Sequence, residues 1–63
     1  MSNIAQRLLT QAEAAQLLGL KNPKTLAAWR LRRQGPDYVK IGSLVRYRAD
    51  VLARFVEANS VKP

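Results

Sequence analysis

Thr10-Gln11-Ala12-Glu13-Ala14-Ala15-Gln16-Leu17-Leu18-Gly19-Leu20-Lys21-Asn22-Pro23-Lys24-Thr25-Leu26-Ala27-Ala28-Trp29 contains two helix starts and one stop within twenty residues. Thr10 with Glu13 is a capping-box pattern: the hydroxyl accepts the N3 amide and the carboxylate reaches back to the cap amide. The first helix should run to about Leu18 and stop at Gly19, a residue suited to the left-handed cap. Ala14, Leu17 and Leu18 share one face at i, i+3, i+4 spacing, Ala12 and Ala15 flank it with small side chains, and Leu9 should fold back onto it. Asn22 can cap a second helix, and Pro23 suits its first position, where a missing N–H does no harm. That helix reads from Lys24 to about Gln34, ended by Gly35-Pro36. Leu26 and Trp29 point inward, with the stems of Arg30 and Arg33 beside them. At 100° per residue, Lys24, Ala28 and Leu31 lie opposite, with Ala27 next to them and Thr25 and Arg32 on the far flank. Leu31 on that face has no core to enter.

Asp37 to Arg48 reads as a hairpin. Gly42-Ser43 makes a two-residue loop with glycine first, the type II′ preference. Alternation suggests Val39, Ile41, Val45 and Tyr47 inward, and Tyr38, Lys40, Leu44, Arg46 and Arg48 outward. Bases on an edge strand also deter sheet-to-sheet aggregation, a purely protective role. Ala49 to about Asn59 is a third helix with Val51, Leu52, Phe55 and Val56 as its apolar stripe. Asp50 and Arg54 form an i, i+4 pair on its exposed side, so this helix is packing rather than contact surface.

The chain of 63 residues carries eleven Lys+Arg against four Asp+Glu, net +7. From Lys21 to Arg48 there are eight bases against Asp37 alone, whereas Arg7, Arg54 and Lys62 balance Glu13, Asp50 and Glu57 outside that window. The whole excess therefore sits on the second helix, its connector and the hairpin. A merely solubilising surface would spread it out; concentration on two adjoining elements indicates a polyanionic partner. With no Cys and no His, disulfides, Cys/His zinc sites and histidine acid–base chemistry are excluded, and no nucleophile–base pair or phosphate loop remains to suggest an enzyme or a cofactor. No apolar run approaches the roughly 20 residues of a membrane span, and Met1–Thr10 lacks the apolar core of a signal peptide. The expectation is a single cytoplasmic domain over 1–63, its core at about 8–58.

Two short helices on a tight connector, then a hairpin and a closing helix, describe a mainly α fold with a small β-hairpin, the winged helix-turn-helix. In that architecture the second helix enters the major groove, so its outward face must be slim. Lys21, Asn22, Lys24, Thr25, Ala27, Ala28 and Arg32 are the candidate reading residues. Lys40, Ser43, Arg46 and Arg48 are the candidate wing and flank contacts to backbone or minor groove.

The segments Leu9 to Leu20, Thr25 to Arg30 and Val39 to Arg48 resemble, over roughly residues 8 to 57, the excisionase-type, MerR-like winged helix-turn-helix family of phages and mobile elements. The resemblance implies a protein that binds double-stranded DNA. Its role would be that of a recombination directionality factor, which bends DNA near an attachment site to direct integrase-mediated excision, or of a small transcriptional regulator. It also implies an integrase, and further copies of the chain on adjacent DNA sites, as partners, within the nucleoid of a bacterial host. The family pattern makes the helix bearing Lys24, Thr25 and Ala28 the recognition helix and places Ser43 and Arg46 in the wing. Full MerR-type regulators continue into a dimerisation helix and an effector site; a chain ending at Pro63 is not expected to sense a ligand by that route. A protein-interaction module, suggested by Leu31 and Leu44, is a further reading. RNA binding lacks an aromatic stacking platform, since Trp29 and Tyr47 point inward. A membrane-surface helix would need bases and a continuous apolar face on one helix.

Overall fold

The computed structural model describes residues 7–61; Met1–Gln6, most of the stretch read above against a signal peptide, and Lys62 lie outside them. The chain runs β1 (Leu8–Leu9), α1 (Gln11–Leu17), α2 (Lys24–Leu31), β2 (Val39–Ile41), β3 (Leu44–Arg48) and α3 (Ala49–Ala58). Three helices and a three-stranded antiparallel sheet of order β1-β3-β2 form a winged helix-turn-helix.

Both halves of the capping box are present. Glu13 N–H donates to Thr10 Oγ1 at 3.1 Å, and Thr10 N–H donates to Glu13 Oε1 at 2.9 Å. The hydrogen bond from the Thr10 backbone, helped by the Thr10 side chain and by nearby Arg7 and Arg46, holds the Glu13 carboxyl below the usual glutamate range. At the other end of α1, Gly19 adopts φ +75°, and Leu20 N–H reaches Ala15 O at 2.8 Å while Gly19 N–H reaches Gln16 O at 3.1 Å. This is the Schellman pairing, which satisfies carbonyls that the helix leaves open. The buried face of α1 is Ala14 and Ala15, with Leu18 packed against the core; Leu17, expected on that face, is 60% exposed. At 100° per residue the buried direction runs between Ala14 and Ala15, toward Leu18, and leaves Leu17 about 110° away from it.

Leu9, Ala14, Ala15, Leu26, Tyr47 and Leu52 form the core, bordered by Leu18, Leu20, Trp29, Val45 and Ala49. Leu26, Tyr47 and Leu52 are its largest fully buried members. Burial of each large apolar side chain is worth about 1.5–3 kcal/mol relative to exposure. Trp29 is half-buried rather than buried, its ring tilted 50° to Phe55 of α3 at 6.1 Å between centroids. Of the α3 stripe, Leu52 is buried, Val51 and Phe55 are half-buried and Val56 is exposed.

The sheet corrects the hairpin reading in two ways. First, Leu8 and Leu9 pair with Arg48 and Tyr47, so Leu9 enters the core as part of a third strand. Second, Ile41 pairs with Leu44 across the two-residue loop, Lys40 with Val45, and Val39 with Arg46. Directly opposed residues share a face. Lys40, Val45, Tyr47 and Leu9 therefore lie on the core side, whereas Val39, Ile41, Leu44, Arg46, Arg48 and Leu8 lie on the other. Val39 and Ile41 are not inward partners of Val45 and Tyr47, and Ile41 is 51% exposed. Gly42 takes φ +61° and Ser43 has no positive φ, as a type II′ loop requires.

Candidate nucleic-acid interface

The connector and α2 are set by local hydrogen bonds. Asn22 Oδ1 accepts from Lys24 N–H at 2.9 Å, and Leu26 N–H donates to Pro23 O at 3.0 Å. Pro23 is already helical (φ −59°, ψ −22°), so Asn22 acts as the cap that its side chain suggests. The helix ends earlier than Gln34. Arg33 takes φ +56°, Gln34 N–H returns to Trp29 O at 2.7 Å, and Arg33 N–H to Arg30 O at 3.1 Å. An arginine thus occupies the left-handed position usually given to glycine, and Gly35 serves a different purpose. It has φ +82°, and a Cβ there would stand 2.6 Å from Trp29 Cε3. Only glycine lets the chain cross the indole at that height.

Two arginines of this region take different roles. Arg30 Nη1 donates to Gln11 Oε1 at 2.8 Å and to Tyr47 Oη at 2.7 Å, and its guanidinium lies 5.6 Å from the Tyr38 ring centroid. Arg30 therefore joins α2 to α1 and the sheet. Nothing in the local sequence signals this, since its partners lie 19 and 17 residues away. Arg33, by contrast, is exposed at the end of the helix.

Lys21, Asn22, Lys24 and Arg32 are exposed, and Thr25, Ala27 and Ala28 are half-buried on the side of α2 away from Leu26. The connector candidates and the charged α2 candidates are thus open to solvent, and the small α2 candidates are partly so. Leu31, absent from the candidate set, lies on the outward side at the last residue of α2 and is 88% exposed. The helical projection already placed it there.

The wing candidates are divided. Lys40 and Ser43 are exposed, and Arg46 and Arg48 are half-buried. Strand parity puts Lys40 on one face and both arginines on the other, so the outward basic row becomes two flanks of a thin tip. Arg46 Nη1 donates to the Val45 carbonyl at 2.8 Å, and Arg48 Nε lies 3.5 Å from Asp50 Oδ1. The ion pairs among the described residues are Arg7–Glu13, Arg48–Asp50 and Arg54–Asp50. Lys21, Lys24, Arg32, Arg33 and Lys40 take part in none of them. The basic window therefore carries exposed charge outside the ion pairs of the described residues, next to a face slim enough to approach a groove.

No helix among the described residues is long and apolar enough to cross a membrane. No curated protein and no solved structure matches the chain. A family model for the helix-turn-helix domain matches residues 8–60, which covers both helices of the motif, the hairpin and α3. With that match and the fold in agreement, the chain belongs to the helix-turn-helix domain family and is a DNA-binding protein.

Proposed function

We propose that this chain is a recombination directionality factor, an excisionase that binds and bends double-stranded DNA beside an attachment site and directs integrase-mediated excision. The observation that supports its DNA-contacting surface is the set of exposed cations Lys21, Lys24, Arg32 and Arg33, on α2 and at its two ends, none of them in an ion pair among the described residues. In this reading Lys24, Thr25, Ala27 and Ala28 approach base edges, and Lys21, Asn22 and Arg32 fix the register on phosphates. The wing tip straddles the neighbouring backbone, with Lys40 on one side, Arg46 and Arg48 on the other, and Ser43 at the apex. The same domain, core about 8–58, would act in the bacterial cytoplasm with an integrase and with further copies of itself on adjacent sites. Support for excision over simple regulation comes from a charge density suited to holding bent DNA.

Footprinting of DNA around the gene's own neighbourhood, with and without a tyrosine or serine integrase, tests this. Several adjacent protected direct repeats, with altered integrase protection, are expected. A single protected promoter operator, indifferent to integrase, would make the chain a transcriptional regulator on the same surface.

A further inference from the structure

We propose that Leu31 is a base-reading residue, its side chain seated against thymine C5-methyl groups in the major groove. The proposal rests on α2 entering that groove. Leu31 follows Leu26 by five residues, about 500° of helix, which turns it roughly 140° from the buried direction. It is 88% exposed, while Leu26 is 1% exposed. Its neighbours on the same ridge are Ala27 and Ala28, so the leucine methyls are the apolar groups that stand furthest out. Lys24 lies seven residues earlier, about 10.5 Å along the axis at 1.5 Å per residue. With base pairs stacked about 3.4 Å apart, Lys24 and Leu31 address positions about three steps apart.

The charges around Leu31 decide what kind of partner fits it. Arg32 and Arg33 follow it directly in the chain, and Lys24 lies two turns earlier on the same side of α2; all three are exposed and in none of the ion pairs of the described residues. An apolar protein surface would have to desolvate those cations without compensation, whereas phosphates on both sides of a major groove match them. Leu17, also exposed on a helix, lies instead beside the Arg7–Glu13 ion pair. Inside the major groove the thymine methyl is the one apolar group that the base pairs present. A leucine at that place therefore finds one complementary chemistry there.

The test begins with duplexes selected from a random pool by the wild-type chain, resynthesised with uracil in place of each thymine. Wild type should prefer thymine over uracil by about fourfold per contacted methyl, the equivalent of one buried CH₂ group. Leu31→Ala should erase that preference at one or two positions while leaving the thermal melt unchanged. If wild type binds both versions equally while Lys24→Ala weakens both, Leu31 is not a reader and the groove assignment of α2 stands. If Leu31→Ala keeps the preference, another residue reads the methyl and the proposal fails. If no duplex is enriched over random sequence, the groove assignment itself fails, and Leu31's role with it.

Discussion

Arg30 Nη1 donates to the Tyr47 hydroxyl at 2.7 Å, bridging α2 to β3 from a partly buried position. The same nitrogen donates to Gln11 Oε1. Tyr47 is 1% exposed, so its hydroxyl has little access to water if this donor is lost. Arg30→Ala should therefore destabilise the domain by about 1–3 kcal/mol, the cost of leaving a buried polar group without its partner. At temperatures where the variant remains folded, the salt dependence of DNA binding should match wild type. A salt slope reduced by about one would instead make Arg30 a phosphate contact.

Gly35 and Arg33 predict opposite stability changes within one turn. Gly35→Ala must resolve a 2.6 Å approach to Trp29 Cε3 at φ +82°, so its melt should fall by more than that of Gly19→Ala or Gly42→Ala. Those two positions have positive φ but open space, and only the left-handed cost of about 1–2 kcal/mol applies. Arg33→Gly removes the same cost at φ +56° and should raise the melting temperature. It should also weaken DNA binding if the guanidinium meets a phosphate. Equal melts for Gly35→Ala and Gly42→Ala would show that the indole can move aside.

The five exposed cations outside the ion pairs, Lys21, Lys24, Arg32, Arg33 and Lys40, set the expected salt response. With about 0.9 per phosphate contact, log K against log salt should slope roughly −4 to −5 on duplex DNA, or toward −6 if Arg46 joins them. A slope shallower than about −2 would mean that most of this charge stays in water.

Arg46 tests the wing. It is held along its strand by the Val45 carbonyl, on the face opposite Lys40. Arg46→Ala should weaken binding to all sequences alike and flatten the slope by about one if it meets phosphate. A loss concentrated on A·T-rich flanks would place it in a narrow minor groove. Unchanged affinity on both kinds of flank would remove this arginine from the interface.

Glu13 gives a pH dependence of known sign. Its folded carboxyl titrates below the usual glutamate range because the Thr10 N–H donates to it, with the Thr10 side chain and Arg7 adding to the effect. The stabilisation is therefore complete above the unfolded glutamate pKa and is lost as pH falls through the lower, folded value. Wild type should melt higher than Glu13→Ala at neutral pH, and the gap should narrow through the acid range. A gap independent of pH would assign the effect to helix propensity rather than to the carboxylate.

Local signals carried most of the architecture. Thr10 with Glu13, Gly19, Asn22 with Pro23, and Gly42-Ser43 each encode a start, stop or turn within four residues, and each adopts the expected form. What escaped depends on partners distant in sequence. Two residues, Leu8 and Leu9, have no periodicity to reveal a strand; only pairing with Arg48 and Tyr47 defines one. The face assignment of Val39 and Ile41 conflicted with the short loop proposed beside them, because a two-residue turn forces Ile41 and Leu44 onto one side. Leu17 fits the i, i+3 spacing, yet the buried direction runs between Ala14 and Ala15, toward Leu18, and turns Leu17 to solvent. On α2 the outward face was legible by rotation alone, since a helix with one buried stripe has a single opposite side. The second half of Arg30's role was not, because the hydroxyl it meets belongs to another layer.

The short strand β1 has a consequence for how the chain reaches this structure. Leu8 pairs with Arg48 across forty residues, and Ala49 N–H, at the start of α3, donates to the Arg7 carbonyl at 3.0 Å. Such a closure must await most of the intervening chain, and its entropic cost falls on a pairing of two residues. The helix pair can form early from local contacts, but the sheet is completed only when both ends of the domain meet. Folding should therefore have its slow step in that meeting, later than helix formation. Loosening Leu9 should therefore slow folding, because its pairing forms in that step, and leave the earlier helix contacts unchanged. The pairing that completes the sheet thus joins the first strand to the base of the wing, at Arg48, rather than to α2.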